Sequence, residues 1–334
     1  HMDNQTEFRS RSKNYLKPVI WQRNPYLLSL IIMIFLLLLI AIFQPSYLLP
    51  GNLAIKLRVW MPLILVSFGQ TLVILGGGID LSVGAMIALI NVISVQVFGL
   101  VGINLQGVLI AIIAGTLVGI LAGLVNGFCV SYLRLQPIVT TFATSIIWQG
   151  IALWVMKESG GNVPMEVYDI YSGNLLFLPL SLWVIIVIVG IYLLFKSTRY
   201  FMHLKASGGN ISGSFETGLS VARIRMWSYV FCGLFTSLAA LCIISETITG
   251  NPLAGEGYAL QSISAVVIGG TSLAGGFGGA IGSIIGAIIM KLINDVIFFL
   301  GIPVNFQKLM QGLIIIAALA FGGFFIKKGK KYED

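Results

Sequence analysis

Three ionisable residues lie in or beside long apolar stretches of this sequence: Asp80, Lys291 and Asp295. If these stretches cross a bilayer, a charge at the centre costs at least about 2.5–3.5 kcal/mol, so each charge needs a reason. Asp80 precedes an apolar stretch and can cap the free N–H groups of a helix start, or it can act directly in gating or solute contact. Lys291 and Asp295 are four residues apart, so they can form a local ion pair, or they can line a transport path with Asn294.

Other polar residues within the apolar stretches are weaker candidates for the same path. These residues are Gln70, Thr71, Asn91, Asn126, Thr141 and Gln149. The sequence has no metal-type cluster, nucleophile–base pair or carboxylate dyad, and His203 is the only histidine besides His1. Its three cysteines, an odd number within apolar runs, are typical of packing residues. Since a G-x-x-x-x-G-K-[ST] phosphate loop is also absent, we predict no bond-breaking chemistry and no ATPase site in this chain.

The elements that position these residues follow from the composition. Of the 334 residues, 57% are hydrophobic and 10% charged, with a mean hydropathy of +0.97. Soluble domains carry about 25% charged residues, and a membrane-spanning helix needs roughly 20 mostly apolar residues. We predict an all-α polytopic membrane protein with ten spans, of which 61–75 and 260–270 are short. The predicted spans are 26–43, 61–75, 83–98, 106–130, 138–156, 175–195, 226–244, 260–270, 279–300 and 306–326.

The distribution of basic residues predicts the orientation. With the N-terminus inside, 15 of the 20 Lys and Arg residues fall on the inside, whereas only Lys56, Arg58 and Lys157 fall on the outside. This asymmetry satisfies the positive-inside rule and places both termini in the cytoplasm. The net charge of +8 is therefore a topology signal and not a nucleic-acid footprint.

The predicted organisation is a single transmembrane domain over residues 26–326, with an inside loop at 196–225. Residues 1–25 are predicted to form a cytoplasmic segment, of which 1–2 are a cloning remnant, and residues 327–334 a basic cytoplasmic tail.

Each short span runs into a glycine-rich break, Gly76–Gly84 or Gly269–Gly279. Non-helical backbone is tolerated at membrane depth only within protein or beside a water-filled cavity, so such breaks are typical of discontinuous transporter helices. The alternative is a tight cytoplasmic turn. The break residues of interest are Gly77, Gly78, Asp80, Ser82, Gly84, Gly269, Gly270, Thr271, Gly275 and Gly276. Small-residue steps at 115–127 and 278–286 predict close helix packing, within one chain or between two.

The residues Gly77–Gly84 read GGIDLSVG, which resembles the signature of permeases of ribose-type ABC importers. This branch includes permeases for xylose, galactofuranose and autoinducer-2. Asn251–Tyr258 and Ile263–Gly278 are similar to the second signature of the family at nearly every fixed position, and the resemblance covers about residues 60–325. The chain departs from the family pattern at 213–214, 259–261 and 294–295, where the family commonly has alanine-rich sequence, Glu-Leu-Asp after the tyrosine, and Asn-Gly.

The resemblance implies a second permease chain, the same or paralogous, two cytoplasmic ATPase domains and an extracytoplasmic solute-binding protein. ATP and Mg²⁺ would bind to the partner subunits, no cofactor to this chain, and nucleic acid is not a partner. The resemblance also implies a short ATPase-coupling helix within 206–221, where we expect Asn210 as N-cap and Gly218 as C-terminal stop. The alternative for this segment is a solvated basic loop. The predicted coupling residues are Gly208, Gly209, Asn210, Ser212, Gly213, Phe215, Glu216 and Gly218.

The expected function is import of a small sugar-like solute across a bacterial inner membrane by alternating access. The loaded binding protein is expected to dock on an outer face formed by Lys157–Asn174 and Glu246–Gly257. One alternative is a related permease for nucleosides or branched-chain amino acids. Others are a stand-alone ion-driven carrier, with Asp80, Lys291 and Asp295 as relay, and a membrane scaffold that transports nothing.

Overall fold

A computed structural model describes residues 26–102 and 104–303, together with 306–307, 309–310, 312–313 and 316. The predicted segments 1–25 and 327–334 and most of the predicted span 306–326 lie outside the described residues. The described part is mainly helical, with one two-stranded hairpin.

The helices and strands follow in chain order. They are α1 (Leu27–Phe43), a 3₁₀ turn (Pro45–Leu48), α2 (Pro50–Leu75), α3 (Val83–Val101), α4 (Leu105–Ser131), α5 (Pro137–Val155), α6 (Met165–Ser172), β1 (Asn174–Leu175), β2 (Leu178–Pro179), α7 (Leu180–Lys196), α8 (Arg199–Gly209), α9 (Ile211–Glu216), α10 (Val221–Thr247), α11 (Tyr258–Ile268) and α12 (Ala280–Phe299).

Six described helices are long and apolar enough to cross a membrane: α2, α3, α4, α5, α10 and α12. A seventh span is possible if α7 and α8 are counted together, although the two helices are bent by 77° at their junction. The helices α1 and α11 are apolar but shorter, with 17 and 11 residues. The chain is therefore a multi-pass membrane protein, while the count of ten spans and the cytoplasmic side of the termini stay predictions.

The prediction of a short span at 61–75 after an outside loop is wrong. Helix α2 has 26 residues and begins at Pro50, so Lys56 and Arg58 are helical. A proline at the first helical position is favourable because its missing N–H would have no partner there. The two charges resemble loop residues in sequence, yet both have acidic partners on other helices, Lys56 with Asp295 and Arg58 with Glu246.

A proline inside α2 removes one backbone hydrogen bond. Pro62 has no N–H to give to the carbonyl of Arg58, four residues earlier. The hydroxyl of Tyr171, from α6, donates to that carbonyl oxygen at 2.9 Å. The orphaned acceptor is thereby satisfied, which lets α2 continue through the proline as the central buried helix.

Close glycine contacts hold α4 against α10 within the same chain. A Cβ atom built on Gly119 would lie 2.5 Å from the carbonyl oxygen of Gly233, and one on Gly127 would lie 2.7 Å from that of Met226. On α12, a Cβ atom at Gly282 would clash with the backbone of Gly269. Both small-residue series therefore pack helices within one chain, the first of the two arrangements that the sequence left open.

Candidate functional site

The first glycine break, residues 76–82, joins α2 to α3 in a buried environment. Gly77 has a φ of +76°, a left-handed conformation that favours glycine. The Asp80 side chain is 0% exposed, and its Oδ1 accepts hydrogen bonds from the backbone N–H of Ser82 at 2.8 Å and from its hydroxyl at 2.7 Å. Asp80 thus binds the N–H of Ser82, the N-cap residue of α3, and holds the turn that precedes the helix; Ser82 itself makes no side-chain capping hydrogen bond to the first helical turn.

Neighbouring helices enclose this break with polar side chains. From α4, the Asn126 amide donates to the Ser82 hydroxyl at 2.7 Å, and from α5, the Thr141 hydroxyl accepts from the N–H of Leu81 at 3.0 Å. From α10, Arg225 Nη2 donates to the carbonyl oxygen of Gly77 at 3.3 Å. Because three helices supply hydrogen bonds to its backbone or cap, the break satisfies the condition for non-helical chain at membrane depth.

The second break, residues 269–279, follows the short helix α11. At 1.5 Å per residue, the 11 residues of α11 measure about 17 Å, roughly half of a hydrocarbon core of about 30 Å. The break turns at Gly270, Gly275 and Gly276, which all have positive φ. Thr271 is 1% exposed, and its hydroxyl accepts from the N–H of Gly279 at 3.2 Å. The short helix predicted here is present as α11, and its arrangement is typical of a discontinuous helix, while its crossing of the membrane stays a prediction.

The two breaks meet the end of α8 in what we call the glycine junction: Gly77, Gly208, Gly209, Gly275 and Gly276. The N–H of Gly276 donates to the carbonyl oxygen of Leu75 at 3.1 Å, which ties the second break to the end of α2. A Cβ atom on Gly275 would lie 3.0 Å from Gly77 Cα, and one on Gly276 would lie 2.6 Å from Gly209 Cα. One on Gly208 would clash with that Leu75 carbonyl. The three segments therefore touch backbone to backbone.

The predicted coupling segment contains the short helix α9. Asn210 is its N-cap, and the Asn210 Oδ1 accepts from the N–H of Gly213 at 2.9 Å. After six helical residues the chain turns at Gly218, whose φ is +80°. On the exposed side lie Phe215, 70% exposed, with Ser212 and Glu216. The helix begins and ends where the sequence predicts, and it follows the glycine junction directly.

A non-helical segment of mostly turns, residues 248–257, reaches the first turn of α3; we call it the outer segment after its predicted side of the membrane. It pairs with the loop before α6 through two hydrogen bonds between Gly160 and Gly250, at 2.9 and 2.8 Å. The Asn91 Oδ1 accepts from the N–H of Asn251 at 2.7 Å, and Gln149 Nε2 donates to the carbonyl oxygen of Pro252 at 2.7 Å. These two predicted path residues therefore hold the outer segment in place.

A cavity of about 530 Å³ lies between this outer segment, the start of α3 and the exposed side of α5. Its wall includes Gly84 and Gly257 and the polar side chains of Ser145, Gln149 and Glu256. A Cβ atom on Gly84 would lie 2.5 Å from the carbonyl oxygen of Gly255, so glycine at both positions lets the segment descend to this depth. Of the residues in this wall, only Gln149 was predicted to line a transport path. The contact between Gly84 and Gly255 was not predictable, because these glycines lie in segments far apart in the sequence.

Of the two arrangements that the sequence left open for Lys291 and Asp295, the local ion pair is not formed. Asp295 instead pairs with Lys56 of α2 at 2.9 Å and accepts from the Tyr47 hydroxyl at 2.5 Å. Burial, followed by the hydrogen bond to Asp295, raises the pKa of Tyr47. The Lys291 ammonium lies 5.5 Å from the centre of the Tyr258 ring. Lys291 does not pair with Asp295 because α2 begins early enough to bring the Lys56 ammonium beside the Asp295 carboxylate.

The remaining predicted path residues do not share one surface. Gln70 is fully buried in α2 beside the Cys232 thiol, 4.0 Å away, and Asn126 is buried at the first break. Asn294 is partly buried on α12. Sequence reasoning missed Arg225 and Tyr229, whose spacing of four residues places both on one face of α10. Tyr229 approaches the first break so closely that a Cβ atom on Gly78 would lie 2.5 Å from its hydroxyl.

Buried helix breaks within a multi-pass apolar bundle are typical of membrane transport proteins. A family model described as the branched-chain amino acid transport system permease component matches residues 52–319, and the chain belongs to this family. No solved structure matches it.

Three curated relatives indicate the branch of the family. The ribose import permease of Bacillus subtilis is 33% identical over 290 residues, covering 85% of this chain and 88% of that protein. The ribose import permease of Escherichia coli K12 is 32% identical over 297 residues, covering 87% and 91%. The L-arabinose transport permease of the same strain is 31% identical over 259 residues, covering 77% and 78%. The resemblance to permeases of the ribose type is confirmed.

Proposed function

We propose that this chain is the transmembrane subunit of an ATP-driven importer for a small sugar or sugar-like solute. The solute is delivered by an extracytoplasmic binding protein and crosses the bacterial inner membrane by alternating access. The observation that carries the proposal is the glycine junction, because it joins the coupling segment to both helix breaks. Relatives named as ribose and arabinose permeases support a sugar as the solute.

The coupling step follows from the position of α9. Its exposed side, including Phe215, fits a cleft of a cytoplasmic ATPase domain, which carries ATP and Mg²⁺. When two such domains close, α9 moves and displaces Gly208 and Gly209 directly behind it. Backbone contacts transmit this movement to Leu75 and Gly276, because packed backbone has no flexible side chain to absorb it. Both breaks then shift together.

A second permease chain completes the path. The outer segment contains non-helical backbone, and Ser145, Gln149 and Glu256 add polar groups to the cavity beside it. Ser145 and Gln149 already donate hydrogen bonds within the chain, to the carbonyl oxygens of Phe142 and Pro252, so the support for a covering partner is the opening of this cavity on the exposed side of α5. We place the second chain, a copy or a paralogue, against the exposed face of α5 that includes Phe142 and Ile146. The cavity volume of about 530 Å³ is within the range of about 300–1,000 Å³ for small-molecule pockets.

The binding protein docks on the outer face formed by 157–174 and 246–257. The hydrogen bonds between Gly160 and Gly250 support this, because they join the two segments into one surface. The alternative of an ion-driven relay through Asp295 is disfavoured by the ion pair between Asp295 and Lys56.

The test is solute-stimulated ATP hydrolysis by the assembled complex in liposomes. Gly213→Pro removes the N–H that donates to Asn210, and Glu216→Arg reverses a charge on the exposed end of α9. Both changes are expected to reduce the stimulation several-fold. Gly213→Ala keeps the N–H, although its Cβ atom would lie 3.0 Å from Asn210 Nδ2, and a small shift of that side chain lets it retain the stimulation. Normal stimulation in both the Gly213→Pro and the Glu216→Arg chains would refute coupling through α9. Uptake by the isolated chain under an ion gradient would favour a stand-alone carrier.

A further inference from the structure

The hairpin between α6 and α7, residues 174–179, carries bulky apolar residues where tight turns normally carry small polar ones. Its strands pair Asn174 with Pro179 and Leu175 with Leu178, which leaves Leu176 and Phe177 as a two-residue turn. Both turn residues have positive φ, 48° and 68°, a geometry in which Asn-Gly is usual. Leu176 is 72% exposed and Phe177 is 100% exposed. The chain thus holds two large apolar side chains outward on a strained turn.

The length of α7 fixes the depth of this hairpin in the membrane. Lys196 ends α7, with Arg199 just beyond, so the inner end of α7 lies at the inner headgroups, to which a lysine extends its ammonium. From Lys196 to Leu180 the helix rises about 24 Å at 1.5 Å per residue, less than a hydrocarbon core of about 30 Å. Any tilt of α7 lowers Leu180 further. The hairpin next to Leu180 therefore lies at the outer edge of the hydrocarbon and not in the water above it.

The composition and backbone bonding of the hairpin suit that depth. From Ile170 to Phe195 the sequence contains no charged residue. The Trp183 indole N–H donates to the carbonyl oxygen of Leu175 at 2.8 Å. The backbone N–H of Leu180 donates to the carbonyl oxygen of Gly173 at 3.1 Å. Pairing within the hairpin and to α7 is what backbone in a bilayer requires. Tryptophan is also a residue typical of the membrane interface.

The exposed face of α7 continues the apolar surface of the hairpin. Val187, Ile191 and Leu194 are 54%, 49% and 75% exposed along this helix, as expected for a lipid-facing side. We propose that residues 174–179 insert into the outer leaflet, at the boundary between headgroups and acyl chains, and bind lipid. The term outer rests on the predicted orientation. The hairpin then borders the surface on which the binding protein docks, since residues 157–174 lead directly into it, and it fixes the height of α7 in the membrane.

Site-directed spin labelling in liposomes tests this placement in the assembled complex. Phe177→Cys is labelled in a chain in which Cys129, Cys232 and Cys242 are replaced by alanine, and its accessibilities to oxygen and to a water-soluble nickel chelate are compared. Val187→Cys is the lipid-facing control, and Glu158→Cys, in an exposed loop, is the aqueous control. If the cysteine-free chain does not assemble, the buried Cys232 is retained, since it is 0% exposed.

For the label at Phe177, we expect an oxygen-to-nickel accessibility ratio several-fold above that at Glu158 and close to that at Val187. A ratio equal to that at Glu158 would overturn the proposal, because the hairpin would then stand in water. Protection from both reagents, particularly on addition of the binding protein, would also overturn it and would show that protein covers the hairpin. Neither result would affect coupling through α9, so failure of this inference is distinguishable from failure of the proposed function.

Discussion

A matched pair of substitutions in the glycine junction tests whether direct backbone contact joins the coupling segment to the helix breaks. Gly208 and Gly209 are the last two residues of α8. A Cβ atom on Gly208 would clash with the carbonyl oxygen of Leu75 and lie 3.0 Å from the nitrogen of Gly276. On Gly209 the nearest atom would be Gly276 Cα at 3.7 Å, an ordinary contact. Gly208→Ala therefore overpacks the junction, whereas Gly209→Ala fits.

The expected difference between the two variants follows from these contacts. Replacing glycine by alanine within a helix gains up to about 1 kcal/mol, less at a helix end, and this gain is similar for both neighbours. Overpacking costs about 1–3 kcal/mol, and relief is difficult here because backbone atoms form the obstacle. Gly208→Ala is therefore expected to be about 1–3 kcal/mol less stable than Gly209→Ala.

Two measurements on the reconstituted complex check this expectation. Denaturant unfolding gives the stability difference, and solute-stimulated ATP hydrolysis gives the coupling. We expect Gly208→Ala to reduce the stimulation several-fold, because it separates α8 from the breaks, and Gly209→Ala to leave it near that of the unchanged protein. Equal stability and equal stimulation in the two variants would refute the junction as the transmitting contact.

Three further predictions concern contacts that only the folded chain forms. A double-mutant cycle of Lys56→Met and Asp295→Asn should give a coupling free energy of unfolding of about 0.5–1 kcal/mol. The coupling should decrease in high salt because both side chains are partly exposed, and no coupling at low salt would exclude a stabilising pair. Tyr171→Phe should cost about 1 kcal/mol in denaturant unfolding because a carbonyl of α2 loses its donor, and unchanged stability would mean that water replaces the hydroxyl. Gly119→Ala should destabilise the bundle by about 1–3 kcal/mol in the same assay, because its Cβ atom would overlap the backbone of α10. Gly150→Ala, with no neighbour within 4 Å, should not destabilise it. Equal free energies of unfolding for the two variants would contradict the close contact of α4 and α10.

Local chemistry explains why much of this molecule is predictable from its sequence. The spans predicted at 106–130 and 138–156 correspond to α4 and α5 within one residue at each end, because apolar composition and helix length are properties of a single segment. The same holds for α9, where the Asn210 side chain caps the helix and Gly218 supplies a positive φ.

Predictions that depended on distant partners failed or stayed open. The start of α2 was missed because Lys56 and Arg58 look like loop residues until Asp295 and Glu246 are known to lie beside them. The partner of Asp295 stayed open for the same reason, since the local candidate Lys291 is only four residues away whereas its actual partner, Lys56, is 239 residues away.

The sequence by itself determined that the chain is embedded in a lipid bilayer, that it is helical, where its glycine breaks lie and to which family it belongs. Only the tertiary structure decided that Gly208 meets both breaks, that Gly255 descends to Gly84, and that the G-x-x-x-G steps pack within one chain. The physical reason is that hydrophobicity, capping and backbone conformation act within one segment. A close backbone contact, in contrast, requires glycine in a segment whose partner is set by the packing of the whole bundle.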